Sequence, residues 1–313
     1  MNESYPGLVD LQVNGYLGID FSSPELTEEG FASACRSMIG AGTTVFLPTM
    51  ITSPFEVYER NLPLMAKVMD RDEFSGRLPG FHIEGPFISS EPGARGAHDP
   101  EWIVPCDTTL LDQMIEFSGN KIRLMTIGAD VEGAFAFTRY AVEQGITISL
   151  GHHMAGQEEL ERLAEAGAKS LTHFGNGVPM MVDRHNNPIW AGLGNDNLWA
   201  MIVTDGHHLP ISLIKTIIRT KGWRRCILVS DASPLAGMGP GCYTTLGNEV
   251  ILEPDGRLYN PKGGHLVGSS ATLRECTDYL AKIGIAGEDE IIAMTFYNPL
   301  KLVGIDPAEI MKD

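Results

Sequence analysis

The sequence predicts an α/β protein, a single (β/α)8 TIM barrel over residues 1–313. Three observations carry that expectation. Eight short runs rich in β-branched residues alternate with helical patterns along the chain, the order that folds into parallel strands with covering helices. Most of these runs are apolar almost throughout, as strands are when helices bury their outer face. No Gly-x-Gly-x-x-Gly follows the first run, and an open doubly wound sheet needs only about six strands.

The strands are expected at Leu8–Val13, Thr43–Pro48, Leu78–Ile83, Lys121–Ile127, Ile146–Leu150, Lys169–Thr172, Trp199–Val203 and Cys226–Ser230. The helices between them are expected at Glu28–Gly40, Pro54–Asp70, Thr108–Phe117, Gly133–Gln144, Gln157–Ala166 and Pro210–Thr220, with Ala271–Ile283 after the last strand. Ser53-Pro54 and Thr27-Glu28-Glu29 are helix start signals. Phe174–Asn197 reads as a long loop with weak helical character. Tyr243–Val267 breaks the alternation. Its Glu253-Pro254-Asp255-Gly256 lies between two short strand patterns, a hairpin signal, so 243–267 is expected to be an insertion after strand eight.

Composition excludes several classes. Hydrophobic residues are 43% and charged residues 20%, a globular balance rather than a disordered one. The formal charge of −17 repels phosphate backbones and anionic lipid, so neither nucleic acid nor membrane is an expected partner. The five scattered cysteines include no Cys-x-x-Cys, which suits reduced thiols in a cytoplasmic protein. The first ten residues lack the basic and apolar regions of a signal peptide, and no apolar run is long enough to span a bilayer.

Polar residues gather where the strands end, the edge at which such barrels carry their chemistry. Six of the nine histidines lie at these ends: His82, His152, His153, His173, His207 and His208. Glu84, His152 and His173 follow strands three, five and six, and Asp231 follows strand eight. Imidazole and carboxylate suit zinc or a similar divalent ion, with an open position for water. A carboxylate beside that water can take its proton and deliver it to a leaving group. Neighbouring residues on a strand face opposite sides, so only one of His152 and His153 points inward. His82 shares a face with Glu84, as a supporting or substrate residue. Asp205 reads as a turn former, and His185 and His265 as loop histidines. Ser230 has no Gly-x-Ser-x-Gly around it, which disfavours a serine hydrolase.

Together the segments Gly7–Gly15, His82–Ser89, Ser149–His152, Thr172-His173 with Asn176, Asp205–His208, Leu228–Ala232, Leu266–Ser270 and Asn298-Pro299 resemble the amidohydrolase superfamily. They are most similar to its N-acetylglucosamine-6-phosphate deacetylase family. The resemblance implies one divalent metal ion, zinc ahead of iron, manganese, cobalt or nickel, held by Glu84, His152 and His173. Gln12 and Asn14 stand where many amidohydrolases have a His-x-His, so the other metal position is expected to be empty. Asp231 is implied as general base and then acid, and His208 as the group that polarises the carbonyl. Asn176, Gly177, Arg184 and His98 are implied to contact the sugar phosphate. The expected substrate is an N-acetyl amino sugar phosphate and the expected assembly a homodimer. The family's β-sandwich side domain is expected to be missing or reduced to the hairpin. The alternatives are an amidohydrolase acting on a non-phosphorylated N-acyl sugar, an N-acyl amino acid or a cyclic amide, and sugar-phosphate binding without turnover.

Overall fold

The computed structural model describes residues 6–310. The start of the segment read above for a signal peptide, residues 1–5, lies outside them, as do residues 311–313. Eight parallel strands run in chain order around one sheet: β1 (Val9–Val13), β2 (Val45–Ile51), β3 (Phe81–Glu84), β4 (Ile122–Ile127), β5 (Thr147–Leu150), β6 (Ser170–Leu171), β7 (Trp199–Ile202) and β8 (Cys226–Leu228). A helix follows each: α1 (Glu28–Gly40), α2 (Phe55–Met69), α3 (Thr108–Phe117), α4 (Ala134–Glu143), α5 (Gln157–Ala166), α6 (Pro188–Gly194), α7 (Ile211–Lys221) and α8 (Leu273–Ile283). Helices fix their starts locally. Thr27 Oγ1 accepts from Gly30 N ahead of α1, and Thr272 and Glu275 form a reciprocal cap on α8.

α6 lies within the stretch expected to be a long loop. Asn187 Oδ1 accepts from Ile189 N and Trp190 N at 3.0 and 3.1 Å, with Pro188 in the first turn. The start signal was present, but the helix has only seven residues, too few to show a period. No helix among the described residues is long and apolar enough to cross a membrane.

The barrel closes differently from the way it runs elsewhere. Between β8 and β1 there is a single bridge, Val13 with Ala232, and Asn14 N donates to Ala232 O at 2.8 Å. Side chains complete the seam. Ser230 Oγ donates to Asp10 Oδ2 at 2.5 Å, and Ser230 N and Gln12 N donate to Asp10 Oδ1 at 3.1 and 3.2 Å. Burial pushes the Asp10 carboxyl up to about 7, against the pull of those three hydrogen bonds.

The hairpin expected after strand eight is present and larger than expected. β9 (Gly241–Thr245), β10 (Asn248–Leu252) and β11 (Leu258–Tyr259) form a three-stranded antiparallel sheet. The Glu253–Gly256 turn joins β10 to β11, with Glu253 N donating to Arg257 O at 2.9 Å. β9 was missed because Gly241-Cys-Tyr-Thr-Thr245 is only partly buried and has no run of large aliphatic residues. Leu235, Val250, Leu252, Leu258 and Val267 give this sheet a small core apart from that of the barrel. Ala97, from the β3–α3 loop, packs on it, and Asn248 Nδ2 donates to Ala97 O at 3.1 Å.

Asp10 yields a stability test. Its folded value lies above the 3.8 usual for an aspartate, so between pH 4 and 7 the folded chain holds a proton that the unfolded chain has shed. That contribution is complete at low pH and is lost as pH rises through about 7. Asp10→Asn keeps the seam in its uncharged form. In denaturant unfolding it should lose this decline and be more stable than wild type at pH 8.

Candidate active site

Three of the polar strand-end residues turn the chain sharply into the barrel mouth. His152 (φ +53°), His173 (φ +29°) and Asp231 (φ +50°) are left-handed, a region non-glycine residues rarely occupy. Each lies two or three residues past its strand, and the corner swings its side chain inward. Glu84 ends β3, level with Ile51 and Thr126 on the flanking strands.

The side chains meet closely. Glu84 Oε1 lies 3.1 Å from His152 Nε2 and 3.0 Å from His173 Nε2, and the two nitrogens are 2.9 Å apart. His152 Nδ1 donates to Ala94 O at 2.8 Å, which leaves the Nε2 lone pair facing its neighbours. Three donor atoms this close repel one another unless a cation lies among them. Two imidazoles and a carboxylate at this spacing fit a divalent ion bound at roughly 2 Å. A wider grouping replaces His173 by His98, with donor atoms within 4.8 Å of one another. In the tighter trio the three donor atoms lie within 3.1 Å of one another, while His98 Nδ1 is bonded to Thr52 Oγ1 at 2.8 Å.

Electrostatics follow from burial. Burial would raise Glu84, but hydrogen bonds and charge from the two histidines hold it well below the usual carboxylate range. Burial lowers His173, yet Glu84 raises it overall. His82, His98 and His153 are driven down by burial to about 4, 3 and 3, so all three rings are neutral.

Asp231 faces the trio from the seam. Asn14 Nδ2 and Gln12 Nε2 donate to its Oδ1 at 2.8 and 3.1 Å, which leaves Oδ2 open. Burial, then the charge of Glu84, raises Asp231, against His173, His208 and Asn14. His208 Nε2 lies 4.0 Å from Asp231 Oδ2. The other side of the His208 ring is fixed by Asp205, whose Oδ2 accepts from His208 Nδ1 and from Ser269 Oγ, both at 2.7 Å. Burial lowers His208, but the Asp205 charge raises it overall. Asp205 is also the turn former expected of it, since its Oδ1 accepts from His207 N and His208 N at 2.9 Å. Sequence reasoning missed its second role. The signal was the spacing of Asp205 and His208, which a single turn folds onto each other.

No family model matches the chain. Among individual proteins it is similar to an N-acetylgalactosamine-6-phosphate deacetylase of Escherichia coli O157:H7, 28% identical over 96% of this chain and 78% of that protein. An N-acetylglucosamine-6-phosphate deacetylase of Bos taurus is 32% identical over 96% of this chain and 74% of that one. The chain belongs to the N-acetylglucosamine-6-phosphate deacetylase family. A solved deacetylase of that name from Pasteurella multocida superposes with a TM-score of 0.85 at 28% identity, covering 96% of this chain and 76% of that one. The TIM barrel expected from the sequence is thus the fold of this deacetylase family, whose members are amide hydrolases.

Other expected site residues fall in three places. Asn176, Gly177 and His98 line the same pocket as the trio, Asp231 and His208. Gly177 is left-handed (φ +63°), and a Cβ there would sit 3.0 Å from His152 Nδ1, so the loop runs directly over the histidine rings. His82 is not a pocket residue, which corrects its assignment to substrate. Fully buried, it bonds Thr49 Oγ1 at 3.2 Å and Thr126 Oγ1 at 2.8 Å, one layer below Glu84. Arg184 is exposed and outside the pocket, and its carbonyl accepts from Trp190 Nε1 at 3.1 Å. Of the adjacent pair, His152 faces the pocket, and His153 turns away to accept from Ala155 N at 3.2 Å.

The Asp205 contact yields a second test. Asp205→Asn removes the charge that holds His208 up. The His208 titration followed by NMR should move to lower pH, and kcat/KM in the family's reaction should fall roughly 10- to 100-fold in a folded protein.

Proposed function

We propose that this chain hydrolyses the amide of N-acetylglucosamine 6-phosphate, or of a related N-acetyl amino sugar phosphate, to acetate and the free amino sugar phosphate. The observation that carries the reading is the meeting of Glu84, His152 and His173 within 3.1 Å, with the open oxygen of Asp231 lining the same pocket. Glu84, His152 and His173 would hold one divalent ion. Such an ion, zinc first among zinc, iron, manganese, cobalt and nickel, supplies Lewis acidity and makes water easier to deprotonate. The positions of Gln12 and Asn14 hold no second ion in this reading, because both amides are turned to Asp231.

Asp231 Oδ2 takes the proton of the attacking water as its oxygen bonds to the acetyl carbon. His208, whose proton affinity Asp205 raises, donates from Nε2 to the carbonyl oxygen as charge develops there. Asp231 then passes the proton to the sugar nitrogen as the C–N bond breaks, which releases acetate and the amine. Asn14 and Gln12 keep Asp231 aimed through both transfers. Asn176, Gly177 and His98 contact the sugar.

No lysine or arginine lines the pocket among the described residues. That favours one alternative, an N-acyl sugar without phosphate. Homodimer formation reconciles the phosphorylated substrate with this wall, with Arg184 of one copy completing the pocket of the other. Fully exposed Met180, 87% exposed Met181 and 57% exposed Trp190 flank Arg184, an apolar face that a second copy would cover. We read the β9–β11 sheet as an insertion into the barrel. We place the protein in the cytoplasm, a reading supported by five free cysteines.

Acetate release from N-acetylglucosamine 6-phosphate, its galacto epimer and their non-phosphorylated forms tests the reading. Asp231→Asn should retain its metal by elemental analysis yet lose at least about 100-fold in kcat. Wild-type turnover in that variant would remove Asp231 from the reaction. Arg184→Ala should raise KM roughly tenfold or more for phosphorylated substrates and leave KM for neutral ones unchanged.

A further inference from the structure

The segment after β11 crosses from the small sheet to the barrel. Leu266 bridges Tyr259 of β11, and Ser269 bridges Ala232 beside the Asp231 corner. His265, Leu266 and Gly268 line the pocket on the way. Gly268 is left-handed (φ +61°), and a Cβ there would sit 3.0 Å from Asp231 O, so the chain passes directly against the corner. Ser269 then grips it through the backbone. Its N donates to Asp231 O and its O accepts from Ser233 N, both at 2.8 Å.

The Ser269 side chain reaches the other reacting group. Its Oγ donates to Asp205 Oδ2 at 2.7 Å, the same oxygen that accepts from His208 Nδ1. Three donors to the Asp205 carboxylate, His207 N, His208 N and His208 Nδ1, come from its own turn. Ser269 is the donor from elsewhere in the chain among the described residues. It is 2% exposed, and a buried hydroxyl on a carboxylate is one of the stronger hydrogen bonds. Asp205, Asp231 and His173 are the charged or titratable groups that act on His208. His208 Nε2 and Asp231 Oδ2 stand 4.0 Å apart, and among the described residues no hydrogen bond joins the 205–208 turn directly to the 230–233 corner. Ser269 is bonded to both.

We infer that Ser269 is a positioning residue, its N–H fixing the Asp231 corner and its hydroxyl holding Asp205 against His208, so that the proton acceptor and the proton donor keep one spacing across the reacting amide. The inference rests on the deacetylase reading and gives its two reacting side chains a common anchor.

The test compares zinc-loaded wild type, Ser269→Ala, Asp205→Asn and the double variant in acetate release from N-acetylglucosamine 6-phosphate. Ser269→Ala removes the hydroxyl and keeps the backbone bonds to the corner. It should lose about tenfold in kcat, the scale of one hydrogen bond to a charged group, with KM and zinc content unchanged. Added to Asp205→Asn, the same change should cost almost nothing further, because the effect runs through Asp205. His208 followed by NMR should titrate at higher pH in Ser269→Ala, opposite to Asp205→Asn, because a carboxylate that loses a donor pulls harder on the imidazolium proton. Ser269 Oγ also accepts from Ala271 N at 3.1 Å. A purely structural role through that bond would lower the melting temperature, leave the His208 titration in place and make the two losses multiply, which overturns the inference. An unchanged kcat for Ser269→Ala overturns it as well. Should Ser269→Ala not fold, Ser269→Cys, which keeps the volume and only a weak donor, takes its place in the same comparison. Absence of acetate from phosphorylated and neutral N-acetyl sugars with zinc-loaded wild type overturns the deacetylase reading itself. The His208 titration needs no turnover, and it then decides the Ser269 hold separately.

Discussion

A carboxylate oxygen and two imidazole nitrogens are held within 3.1 Å of one another in a buried place, and the rest of the site answers to that crowding. Such donors are expensive to desolvate and repel one another unless positive charge joins them. The supporting rings and hydroxyls add no further charge. His82, His98 and His153 are neutral, and a ladder of hydroxyls lies beneath the trio. In it Thr126 Oγ1 meets His82 Nε2 at 2.8 Å and Thr172 Oγ1 at 2.7 Å, and Thr172 donates to Ser149 Oγ at 2.6 Å. This layer satisfies polar groups inside the barrel without adding ions. Asp231, the one other carboxylate lining the pocket among the described residues, is held aside by the Gln12 and Asn14 amides.

The three left-handed corners are the conformational cost of this arrangement. Each non-glycine residue in that region gives up about 1–3 kcal/mol, and such strain persists only where packing overdetermines it. Here the last residues of the strand before each corner are buried, so the barrel core absorbs the cost. The seam makes the same exchange. β1 and β8 share one bridge rather than a ladder; Asp10 and Ser230 join the seam, and Gln12 and Asn14 beside them aim Asp231.

Most of the barrel was legible because buried parallel strands write a strong apolar signal, and the strand ends then located Glu84, His152, His173, Asp231 and His208. Other features escaped for separate physical reasons. Side-chain parity gives the face of a strand but not the height along it, so His82 read as a substrate neighbour of Glu84 although it lies a layer deeper. Chain spacing cannot say where a long loop travels, and Arg184 ended outside the pocket. His265 escaped because its place depends on how a sheet of three strands folds over the mouth, a long-range contact that no local pattern records. The Asp205 pairing was readable and was passed over, because turn formation already accounted for the residue.

The β9–β11 sheet has a core of its own, and Asn248 with Ala97 ties it to the loop that carries His98. Floor and roof of the pocket therefore belong to two separately packed bodies. The trio and Asp231 lie in the first, and the second adds Leu246, His265 and Leu266 to the pocket wall. That part of the wall can be remodelled while the residues beneath it keep their places.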